Sequence, residues 1–176
     1  GGFQHADRVA EERILGAYRP EHLGEVYSGL VTVLMRMVFV LYAEERSLLP
    51  MESELYASSY SLSRLYASLQ EDWNRHGDTI NDRFGAWGRV ITLFRLLHDG
   101  VRAADGLLLP PRKGAFFDPD AFAFLEGRDR AAGGRQAGQI LDLPRVSDGV
   151  VYRVLDRLLR LDGERLQYKG LDVEQI

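Results

Sequence analysis

The chain has 176 residues, a formal net charge of −4, 45% hydrophobic residues and no cysteine. That length fits one domain, the apolar content supports a packed core and excludes a disordered chain, and the lack of thiols excludes disulfides and thiolate metal sites. The acidic balance argues against a dedicated nucleic-acid-coating domain, which would be basic.

Ala6 to Tyr18 reads as a short helix, with Val9, Arg13 and Ala17 at spacing four and Ala10, Ile14 and Leu15 beside them. Pro20 ends it, because proline disfavours helix in the residue before it, and proline also suits the first turn of the next helix. That next helix, about 20–48, carries the strongest periodicity in the chain. Leu23, Val26, Tyr27, Leu30, Leu34, Met37, Val38, Leu41 and Tyr42 follow the i, i+3, i+4, i+7 rule. Val31, Val33, Met35, Phe39 and Val40 fill the other faces. A helix apolar all round is buried all round, so this one is expected at the centre of the domain. Its longest apolar stretch, Leu30 to Ala43, is 14 residues interrupted by Thr32 and Arg36, short of the ~20 a membrane span needs. The N-terminal residues lack the apolar region of a signal peptide, so a cytoplasmic protein is expected.

After a linker, Ser61 to His76 reads as a helix with Leu62, Leu65, Tyr66, Leu69 and Trp73 on one stripe. Asn81 or Asp82 is placed to cap another, whose stripe is Phe84, Trp87, Val90, Ile91, Phe94 and Leu97. Residues 100–120 read as an ordered loop, since Pro110 and Pro111 cannot continue a helix. Asp118-Pro119-Asp120 starts a short helix through Phe122 and Leu125, and the Gly-rich stretch 127–138 reads as a mobile loop. Ser147 opens a last helix with Val150, Val151, Val154, Leu155, Leu158 and Leu159 inward. Glu164 to Lys169 suits a short extended piece. Asp172 and Gln175 resemble a capping box that opens a helix at the end of the sequence. The expected organisation is therefore a helical domain over 1–170 and the start of a following domain at 171–176.

The fold class expected is all-α: an irregular multi-helix bundle around the buried 20–48 helix, with a short β-strand or hairpin near the C-terminus. Chemistry is sparse. His5, His22, His76 and His98 match no metal-ligand spacing and read as ordinary histidines. Gly127, Gly133, Gly134 and Gly138 form no phosphate-binding signature. Pro119-Asp120 and Gln167-Tyr168-Lys169 loosely match a nuclease motif, but that chemistry needs its carboxylates on adjacent strands, and a helix separates the two. Neither catalytic, cofactor nor metal residues are assigned. Arg36, Glu44, Glu45 and Arg46 form a charged constellation on the buried helix and read as structural ion pairs, because buried charges must be partnered. Arg153, Arg157 and Arg160 share one helix face and are the candidates for DNA-backbone contact, although Asp156 and Asp162 stand ready to pair with them.

The segment Val38-Phe39-Val40-Leu41-Tyr42-Ala43-Glu44-Glu45-Arg46-Ser47-Leu48-Leu49-Pro50 resembles the helical region of large bacterial restriction–modification and phage-defence adenine-specific DNA methyltransferases. Tyr27-Ser28-Gly29-Leu30 before it and Leu171 to Ile176 at the end fit the same resemblance. It implies a parent enzyme that uses S-adenosylmethionine to methylate DNA, with an endonuclease activity in some members. The family's Asn/Asp-Pro-Pro-aromatic motif, which holds the flipped base, is missing: Leu109-Pro110-Pro111-Arg112 lacks both the amide and the aromatic. No catalytic residue carries over. The expected role is a non-catalytic spacer that orients catalytic and DNA-recognition domains. The alternative is an interaction module that recruits another defence-system subunit and so presents a large exposed apolar patch.

Overall fold

A computed structural model describes residues 23–103, 106–128, 134, 139–161, 164 and 165. The expectations for 6–18, for most of the Gly-rich 127–138 stretch, for Lys169 and for 171–176 lie outside the described residues. Five helices carry the architecture: α1 (Leu23–Glu45), α2 (Glu54–Ser59), α3 (Leu62–His76), α4 (Ala86–Asp99) and α5 (Asp148–Leu159). Two small antiparallel hairpins accompany them, β1 (Val101–Ala103) with β2 (Gly106–Leu109), and β3 (Arg160–Leu161) with β4 (Glu164–Arg165). The fold is thus mainly helical, with the short hairpin near the C-terminus among its strands.

The core is one cluster. Met37, Val40 and Leu41 of α1 meet Leu62, Leu65 and Leu69 of α3, Val90, Phe94 and Leu97 of α4, and Val151 and Leu155 of α5. These are the inward positions of four stripes with helical spacing, and burying each such side chain contributes roughly 1.5–3 kcal/mol. Tyr66 and Trp73 of α3 stack on Tyr152 of α5, with ring centroids 5.9 and 5.1 Å apart. Gly29 lets α1 approach the loop before α5, since a methyl there would lie 2.7 Å from the ring of Phe124.

Several elements differ from the sequence expectations. Helix α1 is not buried on all sides: Gly29, Val33, Arg36, Met37, Val40, Leu41, Ala43 and Glu44 face inward, while Leu23, Tyr27, Val31, Leu34, Met35 and Phe39 are exposed. By length and composition α1 is apolar enough to cross a membrane, but its inner face is committed to the core. The linker before α3 contains helix α2, capped by the Ser53 hydroxyl. Within the stretch expected as an ordered loop, Val101–Ala103 and Gly106–Leu109 pair as antiparallel strands, with Gly100 supplying a φ of 75° at the entrance. Asp118–Phe122 is a turn, and only Ala123–Glu126 winds, as a 3₁₀ turn closed by left-handed Gly127. A side chain at Gly127 would run into the carbonyl of Asp142.

The start of α4 is also made differently. Asn81 and Asp82 lie in a separate 3₁₀ turn, Ile80–Asp82, and the helix begins at Ala86 with Phe84 exposed. Its cap comes from a distant part of the chain. Asp148, the first residue of α5, accepts from the backbone N–H of Gly85 and of Ala86, both at 2.8 Å. The Asp148 N–H donates in turn to the Arg83 carbonyl at 2.9 Å. Asp148→Ala is expected to cost about 1 kcal/mol, the usual worth of a helix cap, read as a lower urea midpoint at unchanged slope.

Candidate functional site

The charged residues of α1 sit in two buried polar clusters. Glu44, in the last turn, is 4% exposed. Its carboxylate accepts five hydrogen bonds: from Tyr56 Oη (3.1 Å), Ser61 Oγ (3.2 Å), Leu62 N (2.7 Å), Ser63 N (2.9 Å) and Ser63 Oγ (2.6 Å). Two of these donors are first-turn N–H groups of α3, which have no partner inside their own helix. A negative charge there also meets the positive end of the helix dipole. Ser61 adds the N-cap, its hydroxyl accepting from Arg64 N. The expected ion pair is therefore replaced by a carboxylate at a helix start, which none of these five donors meets as a cation. Glu45 is half-buried, and Arg46 is exposed with its guanidinium 5.4 Å from the Tyr42 ring centroid.

Tyr56 is fully buried against that carboxylate. Burial, reinforced by the Glu44 charge and hydrogen bond, drives its hydroxyl far above the ordinary tyrosine range. Tyr66 and Tyr152 are raised too, first by burial. A proton held more tightly in the fold than in the unfolded chain contributes stability that is complete below the unfolded value near 10.0. Above it the unfolded Tyr56 ionises while the folded one does not, so stability falls with slope approaching about 1.4 kcal/mol per pH unit for Tyr56, and Tyr66 and Tyr152 act in the same direction. Urea unfolding between pH 9 and 11 is expected to show this loss, with a shallower slope for Tyr56→Phe.

The second cluster joins α1 and α4 to the 115–128 loop. Arg36, two turns before Glu44, is buried, and its Nε and Nη2 donate to the carbonyls of Phe116 (2.5 Å) and Asp118 (3.1 Å). Its guanidinium lies 5.6 and 5.8 Å from the ring centroids of Phe94 and Phe117. Burial lowers its pKa, while the charges of Asp118 and Glu126 work in the opposite direction. Beside it Glu126 is shared by two arginines: Oε1 accepts from Arg95 Nε at 2.5 Å and Oε2 from Arg128 Nε at 3.0 Å. Arg128 also reaches Asp120 (2.6 Å) and the Pro119 carbonyl (2.7 Å). Arg36, Arg95 and Glu126 line a small cavity with Ile91, Phe94, Phe117 and Phe122. Among the described residues, Arg95 Nη2 is buried with no hydrogen-bond partner.

Arg153 and Arg157 stand exposed on the outer face of α5, and Arg153 donates to Asn81 at 3.2 Å. Arg160, the third of the set, pairs with Asp156 at 3.0 Å. All three are exposed, with Arg153 bonded to Asn81 and Arg160 to Asp156. Arg145 joins them on the exposed side, its guanidinium 4.4 Å from the centre of the Phe84 ring. Asp120 is occupied by Arg128, and no group of three metal-ligating side chains occurs among the described residues. Sequence reasoning missed the Arg95–Glu126–Arg128 network. Its members are spread over α4, a 3₁₀ turn and a glycine-rich stretch, and no local pattern signals such a meeting. No family model, curated protein or solved structure matches this chain.

Proposed function

We propose that the chain is the helical spacer of a multidomain, S-adenosylmethionine-dependent DNA adenine methyltransferase of the restriction–modification or phage-defence type. It acts in the cytoplasm and contributes architecture rather than chemistry. The observation that carries this reading is the occupancy of Glu44. The segment that bears the resemblance, 38–50, contains one buried carboxylate, and five donors hold it at the start of α3. A carboxylate so engaged fixes two helices and has no free lone pair for a substrate. Arg36, one stretch earlier on the same helix, is spent on two loop carbonyls.

In this reading α1 is the central helix of the whole protein, covered on both its faces. Arg153, Arg157 and Arg160 supply the DNA-backbone contacts, and the cofactor and the target base bind in another part of the parent. A methyl-transfer assay with this chain, labelled S-adenosylmethionine and duplex DNA tests the assignment. The expected result is no transfer. Turnover by the chain alone overturns it. Fluorescence titration with a duplex tests the arginines: affinity falling with salt, and falling less steeply in Arg153→Ala/Arg157→Ala, is the expected outcome.

A further inference from the structure

The turn before α4 carries an exposed aromatic ring beside the arginines of α5. The Phe84 ring is 40% exposed, and the guanidinium of Arg145, itself exposed, lies 4.4 Å from its centroid. Single exposed apolar residues are ordinary, but this one bears a stacked cation and stands near three more. Arg153 donates to Asn81, three residues before Phe84. Arg157 lies one turn further along the outer face of α5, and Arg160 sits just beyond the end of that helix. The ring is also held in place by its neighbours in the chain. Asp148 accepts from Gly85 and Ala86 on one side of it and donates its own N–H to the Arg83 carbonyl on the other. Much of the surrounding negative charge is committed: Asp148 to that cap, Asp156 to Arg160 and Tyr66, and Asp72 to Arg83. Asp82 is exposed on the same turn, against Arg145, Arg153, Arg157 and Arg160.

We propose that the Phe84–Arg145 stack is a platform for an unpaired nucleobase of DNA whose phosphates lie along Arg153, Arg157 and Arg160. The inference rests on the backbone contacts proposed for those three arginines and adds a base to them. An aromatic ring and a guanidinium both offer flat surfaces, and every base has a face to lay on them. Inside a duplex both faces of a base are covered by the neighbouring pairs, so the base that fits here is one outside the stack. A phenyl ring has neither donor nor acceptor for a base edge, so stacking on it tolerates any base. An acidic protein surface would satisfy the arginines but leave the ring without a role.

The experiment titrates the full chain, by fluorescence anisotropy, with three labelled DNAs: a blunt duplex, the same duplex with a single-stranded thymine overhang, and the same duplex with an abasic overhang of equal length. The two overhangs carry the same phosphates, so only the bases separate them. The thymine overhang is expected to bind at least about fivefold more tightly than the abasic one, the low end of what stacking on an aromatic side chain contributes per base. Phe84→Leu keeps an apolar side chain at an exposed position and is expected to erase most of that difference without changing the salt slope, whereas Phe84→Trp keeps it. Arg145→Lys retains the charge but not the plane and is expected to reduce the difference as well. Equal binding of the two overhangs, or a difference that survives Phe84→Leu intact, overturns the proposal. If the overhangs bind equally while Arg153→Ala/Arg157→Ala still flattens the salt dependence, the backbone contacts stand and the platform falls. If none of the three DNAs binds, both fall.

Discussion

Glu44→Ala is expected to destabilise the protein by about 4 kcal/mol, because it removes a buried carboxylate that five donors share. Hydrogen bonds to a charged acceptor contribute roughly 1.5–3 kcal/mol each, and a buried donor left without one carries its own desolvation cost. Here the buried hydroxyls of Tyr56 and Ser61 and the N–H of Leu62 all lose their acceptor. The sum is smaller than five separate bonds because water enters and the group acts as a unit. Scanning calorimetry is expected to show the melting temperature lowered by about 10 °C, at ~2–4 °C per kcal/mol for a chain of this size. Glu44→Gln separates charge from shape. Its amide turns one acceptor into a donor that faces donors, so it is expected to fall nearer to alanine than to glutamate. A Glu44→Gln protein as stable as wild type would show that the carboxylate charge is dispensable.

The second large effect belongs to Glu126. Removing its charge with Glu126→Gln takes away the carboxylate that Arg95 meets at 2.5 Å and one of the carboxylates that hold Arg128, whose pairing with Asp120 stays. Breaking a buried charge network from one side costs roughly 3–5 kcal/mol, whereas replacing the whole network by apolar groups of similar volume is often neutral. Glu126→Gln is therefore expected to lower the urea midpoint strongly. The triple change Arg95→Met/Glu126→Leu/Arg128→Met is expected to recover most of the loss. Recovery by the triple change is the diagnostic result. If it is as unstable as the single change, the network holds the 115–128 loop through geometry that apolar packing does not replace.

The helices with regular stripes were legible in the sequence. The stripes of α3 and α5 and the Ser61 and Ser147 boundaries follow from spacing and capping residues alone. Helix α1 was legible as a helix, but not in its exposure. Periodicity reports what a residue prefers, and a helix apolar all round does not reveal which neighbours are present to cover it. The cap of α4 was misread because local candidates, Asn81 and Asp82, stood at the right distance while the true acceptor is Asp148. The clusters followed the same rule. Arg36 and Glu44 were visible as charges on a buried helix, yet their partners are loop carbonyls and helix N–H groups, which leave no mark in composition. What the sequence could not express is every contact whose two halves lie in different elements.

The two acidic caps differ in when they become available to a growing chain. Glu44 precedes α3, so the start of that helix has its acceptor as soon as it is made. Asp148 follows α4 by nearly fifty residues, and until it leaves the ribosome the first turn of α4 has no carboxylate to close it. The α1–α3 pair is then able to consolidate during synthesis, while α4 acquires its register only when α5 arrives. A chain that lacked Asp148 would keep the α1–α3 contact and lose the carboxylate that closes the first turn of α4.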